Sequence, residues 1–140
     1  AHFHYVMVAG AVFSGTAAVY YWLPKWCGKM YDETMGKLQF WIAFIAFNIT
    51  FMPQHFLGLA GMPRRYSDYG LQFADWNMVS SIGAFLYGGA QLLFLFNVIR
   101  TIGWGKPIDD PKVWEGAEGL EWTLPTPAPF HTFSTPPVVK

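Results

Sequence analysis

Uncharged, mainly apolar runs alternate with short polar segments along this chain of 140 residues. Three runs, at about residues 1–24, 38–62 and 76–100, are long enough to cross a membrane as helices. A hydrocarbon core about 30 Å thick requires about 20 helical residues. The pattern therefore predicts an all-α integral membrane protein with three transmembrane helices. It divides the chain into a membrane part, residues 1–105, and a C-terminal segment, residues 106–140.

Small residues recur at four-residue spacing in the first and third predicted helices, which lets another helix approach closely. They are Gly10, Ser14 and Ala18 in the first, and Ser80, Ala84 and Gly88 in the third.

The second predicted helix contains more polar groups than a lipid-facing helix would carry. Its polar residues must therefore face protein, water or a cofactor. Pro53 should kink this helix, because proline removes one backbone hydrogen bond. The polar residues are Asn48, Thr50, Gln54 and His55.

The C-terminal segment differs in character from the three apolar runs. Seven of the ten prolines lie between Pro107 and Pro137, mixed with aromatic residues such as Trp114 and Trp122. This composition predicts an extended, partly polyproline arm without a core of its own. A disordered tail is the alternative, but the aromatic residues favour an arm laid on the surface of a partner.

Basic residues in the flanks predict the orientation in the membrane. The loop after the first helix contains three lysines, and Arg100, Lys106 and Lys112 follow the third helix. The opposite side has only Arg64 and Arg65. Because Lys and Arg concentrate on the cytoplasmic side, the first loop and the C-terminus are predicted on the cytoplasmic or matrix side.

Composition supports a membrane protein and narrows the chemistry. Hydrophobic residues make up 53% and charged residues 13% of the chain, against about 25% charged in typical soluble domains. A net charge of zero gives no indication of a nucleic-acid partner. The single cysteine, Cys27, excludes an internal disulfide and a thiolate cluster. No basic segment of a secretory signal precedes the first apolar run.

The segment Ala1-His2-Phe3-His4-Tyr5 holds the main candidates for chemistry. Residues two apart on a helix differ by about 200° of rotation, so His2 and His4 point to opposite faces and cannot share one metal ion. Metal-binding groups at membrane depth indicate function, and imidazole is a common axial ligand of haem iron. The pair therefore indicates one centre on each side of the helix, with Phe3 between them. Two histidines that cap or pack near a helix end are the alternative.

Arg64 and Arg65 follow the second predicted helix. They could be snorkelling anchors at the membrane boundary, or a clamp for carboxylates, since guanidinium offers planar, bidentate donors. The start of the first helix and the end of the second lie on the same side of the membrane. Haem propionates that reach toward that side would meet both arginines, which favours the clamp.

The remaining polar candidates receive structural interpretations. His55 is interpreted as a hydrogen-bonded structural histidine. Asp68 and Asp75 are interpreted as loop charges or partners of the arginines, worth little when exposed. The sequence contains no phosphate-binding glycine loop, nucleophile elbow or paired catalytic carboxylates.

Several motifs identify a family when taken together. They are Ala1–Tyr5, Phe51–Leu59 (FMPQHFLGL), Gly61–Tyr69 (GMPRRYSDY), Glu121–Pro125 and Pro129–Phe133, in order and spacing. With them the chain resembles, over essentially its whole length, the C-terminal quarter of subunit I of cytochrome c oxidase, a haem–copper oxidase.

The resemblance implies roles for individual residues. The three helices would be the last three of a twelve-helix haem–copper oxidase bundle. His2 would be the proximal ligand of the high-spin haem a3, at the catalytic, oxygen-reducing centre. His4 would be one of two axial ligands of haem a, and Phe3 would lie between the haems. Arg64 and Arg65 would bind haem propionates.

The resemblance also implies an enzyme that works only as a complex. The family oxidises cytochrome c, reduces oxygen to water and pumps protons. Its copper ligands and second haem a ligand lie on earlier helices, so residues outside this chain would complete the copper centre. The implied partners are the N-terminal part of subunit I, other oxidase subunits, cytochrome c through the complex, and the lipid bilayer.

The start at Ala1 bears on origin and location. An α-amino group near a haem ligand inside the membrane would be unfavourable. The sequence upstream is therefore expected in a separate polypeptide of a split subunit, or is missing from this chain. A split subunit favours the mitochondrial inner membrane, with the bacterial plasma membrane as the alternative.

Two positions depart from the family pattern. Val8 stands where the family has serine, which casts doubt on a hydroxyl-based proton or water path, and Gly70 stands where proline is usual.

Two other functions remain open. One is a quinol-type terminal oxidase, although Tyr5, Pro53–His55 and Met62–Tyr66 favour the cytochrome c type. The other is a non-catalytic three-span scaffold or assembly protein, in which His2 and His4 only cap the helix and the arm binds a partner.

Overall fold

The computed structural model describes residues 1–138, and these are largely helical. Three helical segments are long and apolar enough to cross a membrane: His2–Cys27, Glu33–Leu59 and Leu71–Trp104. The predicted all-α membrane class is therefore confirmed. The elements in order are α1 His2–Met7, a π-helical segment Val8–Phe13, α2 Ser14–Cys27, β1 Lys29–Met30, α3 Glu33–Leu59, a 3₁₀ turn Leu71–Phe73, α4 Ala74–Trp104, β2 Lys106–Pro107 and a 3₁₀ turn Leu120–Thr123.

The second membrane helix, α3, begins and ends a few residues earlier in the chain than the predicted span, 38–62. It starts at Glu33 rather than 38, because polar residues continue the helix beyond its apolar run. Glu33 lies in the first turn, where a carboxylate is favoured by the helix dipole, and pairs with Lys37 at 2.9 Å. The charge-free run thus covers only part of this helix.

Gly61 ends α3 ahead of the predicted limit at 62. Its φ of 91° is a left-handed conformation that favours glycine. The amide of Met62 donates to the Leu57 carbonyl at 3.0 Å, and that of Gly61 donates to the Gly58 carbonyl at 3.1 Å. These two bonds form the Schellman motif that closes a helix and turns the chain. The turn starts the connection that carries Arg64 and Arg65.

The chain divides into two compact units. The first comprises Ala1–Ser14 and Glu33–Phe96, and the second comprises Gly15–Asp32 and the segment from Asn97 onward.

Within the first unit, α3 and α4 are joined by a close backbone approach and polar contacts. Gly83 faces the backbone of Ile49 and Thr50, where a Cβ would lie 2.5 Å from the Thr50 nitrogen. Nearby, the Ser80 hydroxyl donates to the Thr50 carbonyl at 2.6 Å and accepts from Gln54 Nε2 at 3.1 Å. Side-chain hydrogen bonds of this kind satisfy polar groups inside a membrane helix pair. Ser80 belongs to the small-residue row predicted from the sequence, whereas Gly83 does not.

Within the second unit, the C-terminal arm folds onto its own chain. The amide of Ile108 donates to the Gly28 carbonyl at 2.8 Å, beside the antiparallel pair of β1 and β2. Farther along, Trp114 Nε1 donates to the Tyr21 carbonyl at 2.8 Å, and the Trp122 ring lies edge-on to Tyr21 at 5.2 Å. The sequence predicted an arm laid on a partner, but the surface that the arm covers includes α2 of the same chain.

Lys25, near the end of α2, fixes this arm by a buried ammonium group. The residue is 2% exposed. Its Nζ donates to the carbonyls of Pro111 at 3.1 Å and Leu124 at 2.5 Å, and to Thr126 Oγ1 at 3.2 Å. It also lies 5.6 Å from the centre of the Trp122 ring, within the range of a cation–π contact. One side chain therefore binds three points of the arm.

Replacing Lys25 with Met is expected to loosen the arm. The change keeps an apolar stem of similar length but leaves three acceptors without their charged donor. Two of them, the Leu124 carbonyl and Thr126 Oγ1, are buried, at about 1–3 kcal/mol for each unsatisfied buried group. Hydrogen exchange and limited proteolysis of residues 106–138, in the membrane-embedded complex, should show faster exchange and cleavage. The control is Lys37→Met, since the Lys37 side chain is 71% exposed in its pair with Glu33. Equal protection of the arm in both variants would contradict the proposed role of Lys25.

Large apolar side chains remain on the surface of both units. Phe85 is 83% exposed, Leu92 69% and Trp104 82%. Exposed apolar surface of this extent suits contact with lipid or with further helices.

Candidate functional site

A cavity of about 780 Å³ lies in the first unit, where α1 begins and α3 ends. It falls within the usual range for ligand pockets, roughly 300–1,000 Å³. The cavity is lined by Ala1, His2, Phe3, His4, Gln54, Leu57, Gly58, Met62, Pro63, Arg64, Arg65 and Asn77.

Both histidines of the first motif line this cavity. His2 and His4 are exposed residues in the six-residue helix α1. Their side chains leave a regular helix about 200° apart, yet both reach the same lining. That each serves its own centre stays a prediction from helical geometry.

The first turn of α1 is fixed against α3 by its aromatic residues. The Tyr5 hydroxyl donates to Asn48 Oδ1 at 2.7 Å. The rings of His4 and Phe51 are stacked, with centroids 4.6 Å apart and planes 10° from parallel. The Phe3 ring meets His4 edge-on at 5.5 Å. These contacts limit how α1 and the His4 ring can move relative to α3.

Arg64 and Arg65 enter the lining from the connection between α3 and α4. Arg65 has a φ of 60°, in the left-handed region, which costs a non-glycine residue about 1–2 kcal/mol. Met62 Sδ accepts a bond from Asn77 Nδ2 at 3.4 Å, which ties this connection to α4. Strained backbone of this kind concentrates at ligand-binding positions, which agrees with the interpretation of the pair as a clamp.

The polar residues of α3 find partners in protein. Asn48 accepts from Tyr5, Thr50 Oγ1 donates to the Ala46 carbonyl at 2.7 Å, and Gln54 donates to Ser80. His55 Nδ1 lies 3.3 Å from the Met52 carbonyl oxygen. Of these residues only Gln54 is in the cavity lining.

The other candidates from the sequence lie elsewhere. Asp68 Oδ1 accepts from the Tyr69 amide at 3.0 Å, and Asp68 and Asp75 are exposed. Cys27 belongs to the second unit, with its Sγ 3.5 Å from the Lys29 carbonyl oxygen. None of these three residues is in the cavity lining.

Sequence reasoning missed three residues of the site. Phe51 stacks on His4, and Leu57 and Asn77 line the cavity. Phe51 is three residues after Asn48, so both lie on the same face of α3. A helical-face plot of α3 from Asn48 could have placed Phe51 beside Tyr5 and its neighbour His4. Nothing local in the sequence places Asn77 near Met62, because that contact depends on the path of the connection.

The donor groups of the cavity fit haem. Neutral imidazole binds haem iron, and His2 and His4 supply two imidazoles. Guanidinium binds carboxylates in bidentate fashion, and Arg64 and Arg65 supply two guanidiniums. Leu57 and other apolar side chains complete a lining suited to a flat, largely apolar macrocycle with acidic substituents.

Comparisons with known proteins point to one family. A sequence model of the family described as "Cytochrome C and Quinol oxidase polypeptide I" matches residues 1–86. The chain is 51% identical, over 98% of its length, to cytochrome c oxidase subunit 1 of Cereibacter sphaeroides. It is 46% identical, over its full length, to a putative cytochrome c oxidase subunit 1-beta of Streptomyces avermitilis. It is 43% identical, again over its full length, to cytochrome c oxidase subunit 1 of Bacillus sp. strain PS3.

The matched part of these relatives is short. The chain covers 24%, 25% and 23% of their respective lengths. It therefore spans about a quarter of the curated relatives it matches. All three relatives come from bacteria.

Proposed function

The chain belongs to the cytochrome c and quinol oxidase polypeptide I family, and on that premise we propose that it is the C-terminal part of the catalytic subunit of a cytochrome c oxidase. It supplies one axial histidine to each of two haems, in a complex that passes electrons from cytochrome c to oxygen and pumps protons. The chain is active only within that complex.

One observation carries this proposal. A single cavity lining contains two exposed imidazoles from α1 and two guanidiniums from the connection after α3. Snorkelling would explain the arginines alone, and helix capping would explain the histidines alone. Neither explains why four such groups border one cavity with an apolar wall.

Each residue has a defined task in this function. His2 would bind the iron of haem a3 and His4 the iron of haem a, with Phe3 between the two ligands in the sequence. Arg64 and Arg65 would hold the propionates. Bound haem supplies redox-active iron, and the chain's own residues set its position and the donor strength at its axial site.

The rest of the assembly lies outside this chain. The copper centre is completed by the N-terminal part of subunit I, and other oxidase subunits and lipid cover the exposed apolar faces. Residues 1–105 form the membrane part. The arm, predicted as residues 106–140 and described as far as residue 138, lies on the matrix or cytoplasmic side, as the positive-inside rule predicts. The bacterial relatives favour the plasma membrane over the mitochondrial inner membrane as the location.

A quinol-type terminal oxidase is the alternative within the family, whose description includes both donors. Over its full length the chain matches relatives described as cytochrome c oxidase subunits, which supports cytochrome c as the electron donor. A non-catalytic scaffold is the alternative outside the family's chemistry, and it leaves the composition of the cavity unexplained.

The test uses the assembled complex purified from the native membrane. We expect its pyridine haemochrome spectrum to show haem a, and its oxygen consumption to rise with reduced cytochrome c. Turnover with quinol and none with cytochrome c would replace the proposal by the quinol oxidase. A pure complex without haem would support the scaffold.

A further inference from the structure

The stacking of His4 on Phe51 joins a proposed iron ligand to the neighbouring helix. The two ring centroids lie 4.6 Å apart and the planes differ by 10°. An imidazole normally rotates about its Cβ–Cγ bond within a broad torsional well. A flat ring in parallel contact with one face of the imidazole restricts that rotation, because turning the imidazole would lose the contact.

Phe51 is itself packed against a neighbouring ring of α3, one turn away from a second contact between α1 and α3. Its ring packs against Phe47 at 5.1 Å. One turn earlier on the same face of α3, Asn48 accepts the hydrogen bond from Tyr5, the residue that follows His4. Two consecutive residues of α1 are thus bound by two residues of α3 that are one turn apart. The parallel contact is therefore part of a fixed junction between the helices.

Phe3 completes the surroundings of the His4 ring. It meets the imidazole edge-on, at 5.5 Å and 87°. Phe3 is exposed and belongs to the same helix as His4, so it moves with the ligand. Phe51 differs because it belongs to α3, so its contact orients the His4 ring relative to that helix.

We propose that Phe51 is a positioning residue that sets the plane of the His4 imidazole relative to haem a. The inference rests on the proposed function, since it assigns a consequence to His4 as an axial ligand. Phe51 acts through His4 and does not bind iron itself. Groups behind a metal ligand commonly fix its orientation and tune the metal in this way.

This orientation has a spectroscopic signature that does not depend on turnover. In ferric low-spin haem with two imidazole ligands, the g values of the electron paramagnetic resonance spectrum vary with the angle between the ligand planes. Rotation of one imidazole changes the rhombic splitting while the iron stays low-spin. The midpoint potential of haem a should shift as well, because ligand orientation alters donation to iron.

The test compares variants of the assembled oxidase by electron paramagnetic resonance. Phe51→Leu removes the flat partner, and we expect haem a to stay low-spin with shifted or broadened g values. Phe51→Tyr keeps the ring, and we expect g values close to those of the unchanged protein. Phe56→Leu is the matched control on α3, since Phe56 contacts Trp76 at 5.2 Å and is outside the contacts of His4.

Each outcome decides the inference. Unchanged g values in Phe51→Leu would overturn it. It would also be overturned if Phe51→Tyr or Phe56→Leu shifted the g values as much as Phe51→Leu does. If Phe51→Leu does not accumulate with haem, Phe51→Met, which is also flexible and apolar, is judged by the same criteria. The proposed function fails separately, if His4→Ala retains the low-spin signal of haem a.

Discussion

Replacing His4 with Ala is expected to abolish the low-spin haem signal of the assembled oxidase. Alanine offers no nitrogen to iron, and no other histidine of this chain is in the cavity lining apart from His2. His2 leaves the helix about 200° away from His4 and cannot take over its position. The complex should lose roughly half of its haem, or hold that haem in a high-spin form, since an iron with one axial ligand is no longer low-spin.

The same substitution at His2 is expected to abolish oxygen reduction while the low-spin signal persists. Optical and electron paramagnetic resonance spectra record the loss at each haem, and oxygen consumption records turnover. His131→Ala is the control, because His131 is an exposed residue of the C-terminal arm. Oxygen reduction at the normal rate in His2→Ala, or an intact low-spin signal in His4→Ala, would leave the histidines as structural caps.

Replacing Gly83 with Ala is expected to destabilise the contact between α3 and α4. A Cβ at this position would lie 2.5 Å from the Thr50 nitrogen and 2.8 Å from the Ile49 carbonyl carbon. Both are backbone atoms, so the clash cannot be relieved by turning a side chain, and the helices must separate. Overpacking of this kind costs about 1–3 kcal/mol or more. The hydrogen bond from Ser80 to the Thr50 carbonyl, 2.6 Å long, would be stretched at the same time.

The measurement is the thermal loss of haem absorbance from the assembled complex, which should occur at a lower temperature in Gly83→Ala. Because Gln54 bonds to Ser80 and lines the cavity, haem retention should fall along with stability. Gly88→Ala, on the same helix, is the control, since no atom lies within 4 Å of its added Cβ. An unchanged denaturation temperature in Gly83→Ala would show that the helices adjust without cost.

Much of the fold could be predicted because membrane spans follow from composition. Apolar runs locate three helices, and all three are present. Their limits were less accurate, since Glu33 extends α3 outward and Gly61 ends it. Helix limits depend on hydrogen bonds of a few residues at each end, and hydropathy does not record these.

The candidate binding residues could be predicted from the sequence, but the residues that hold them in place could not. The resemblance assigned His2, His4 and the arginines, and the order of helices put them at the same end. Phe51 and Asn77 were missed because their roles depend on contacts between different helices. The same holds for Lys25. From the sequence it was counted as a basic residue of the loop, whereas in the structure it is buried among hydrogen-bond acceptors of the arm.

The sequence by itself determined the membrane class, the three helices, the family, and the residue types that can bind iron and propionate. These properties follow from local composition, helical periodicity and motif identity. Only the tertiary structure decided that His2, His4, Arg64 and Arg65 border one cavity, and that the His4 ring is stacked on Phe51. The reason is physical: ring orientation and helix separation arise from contacts between residues far apart in the chain. The Ala1–Tyr5 segment supplies the proposed ligands, and its packing on α3 orients the His4 ring.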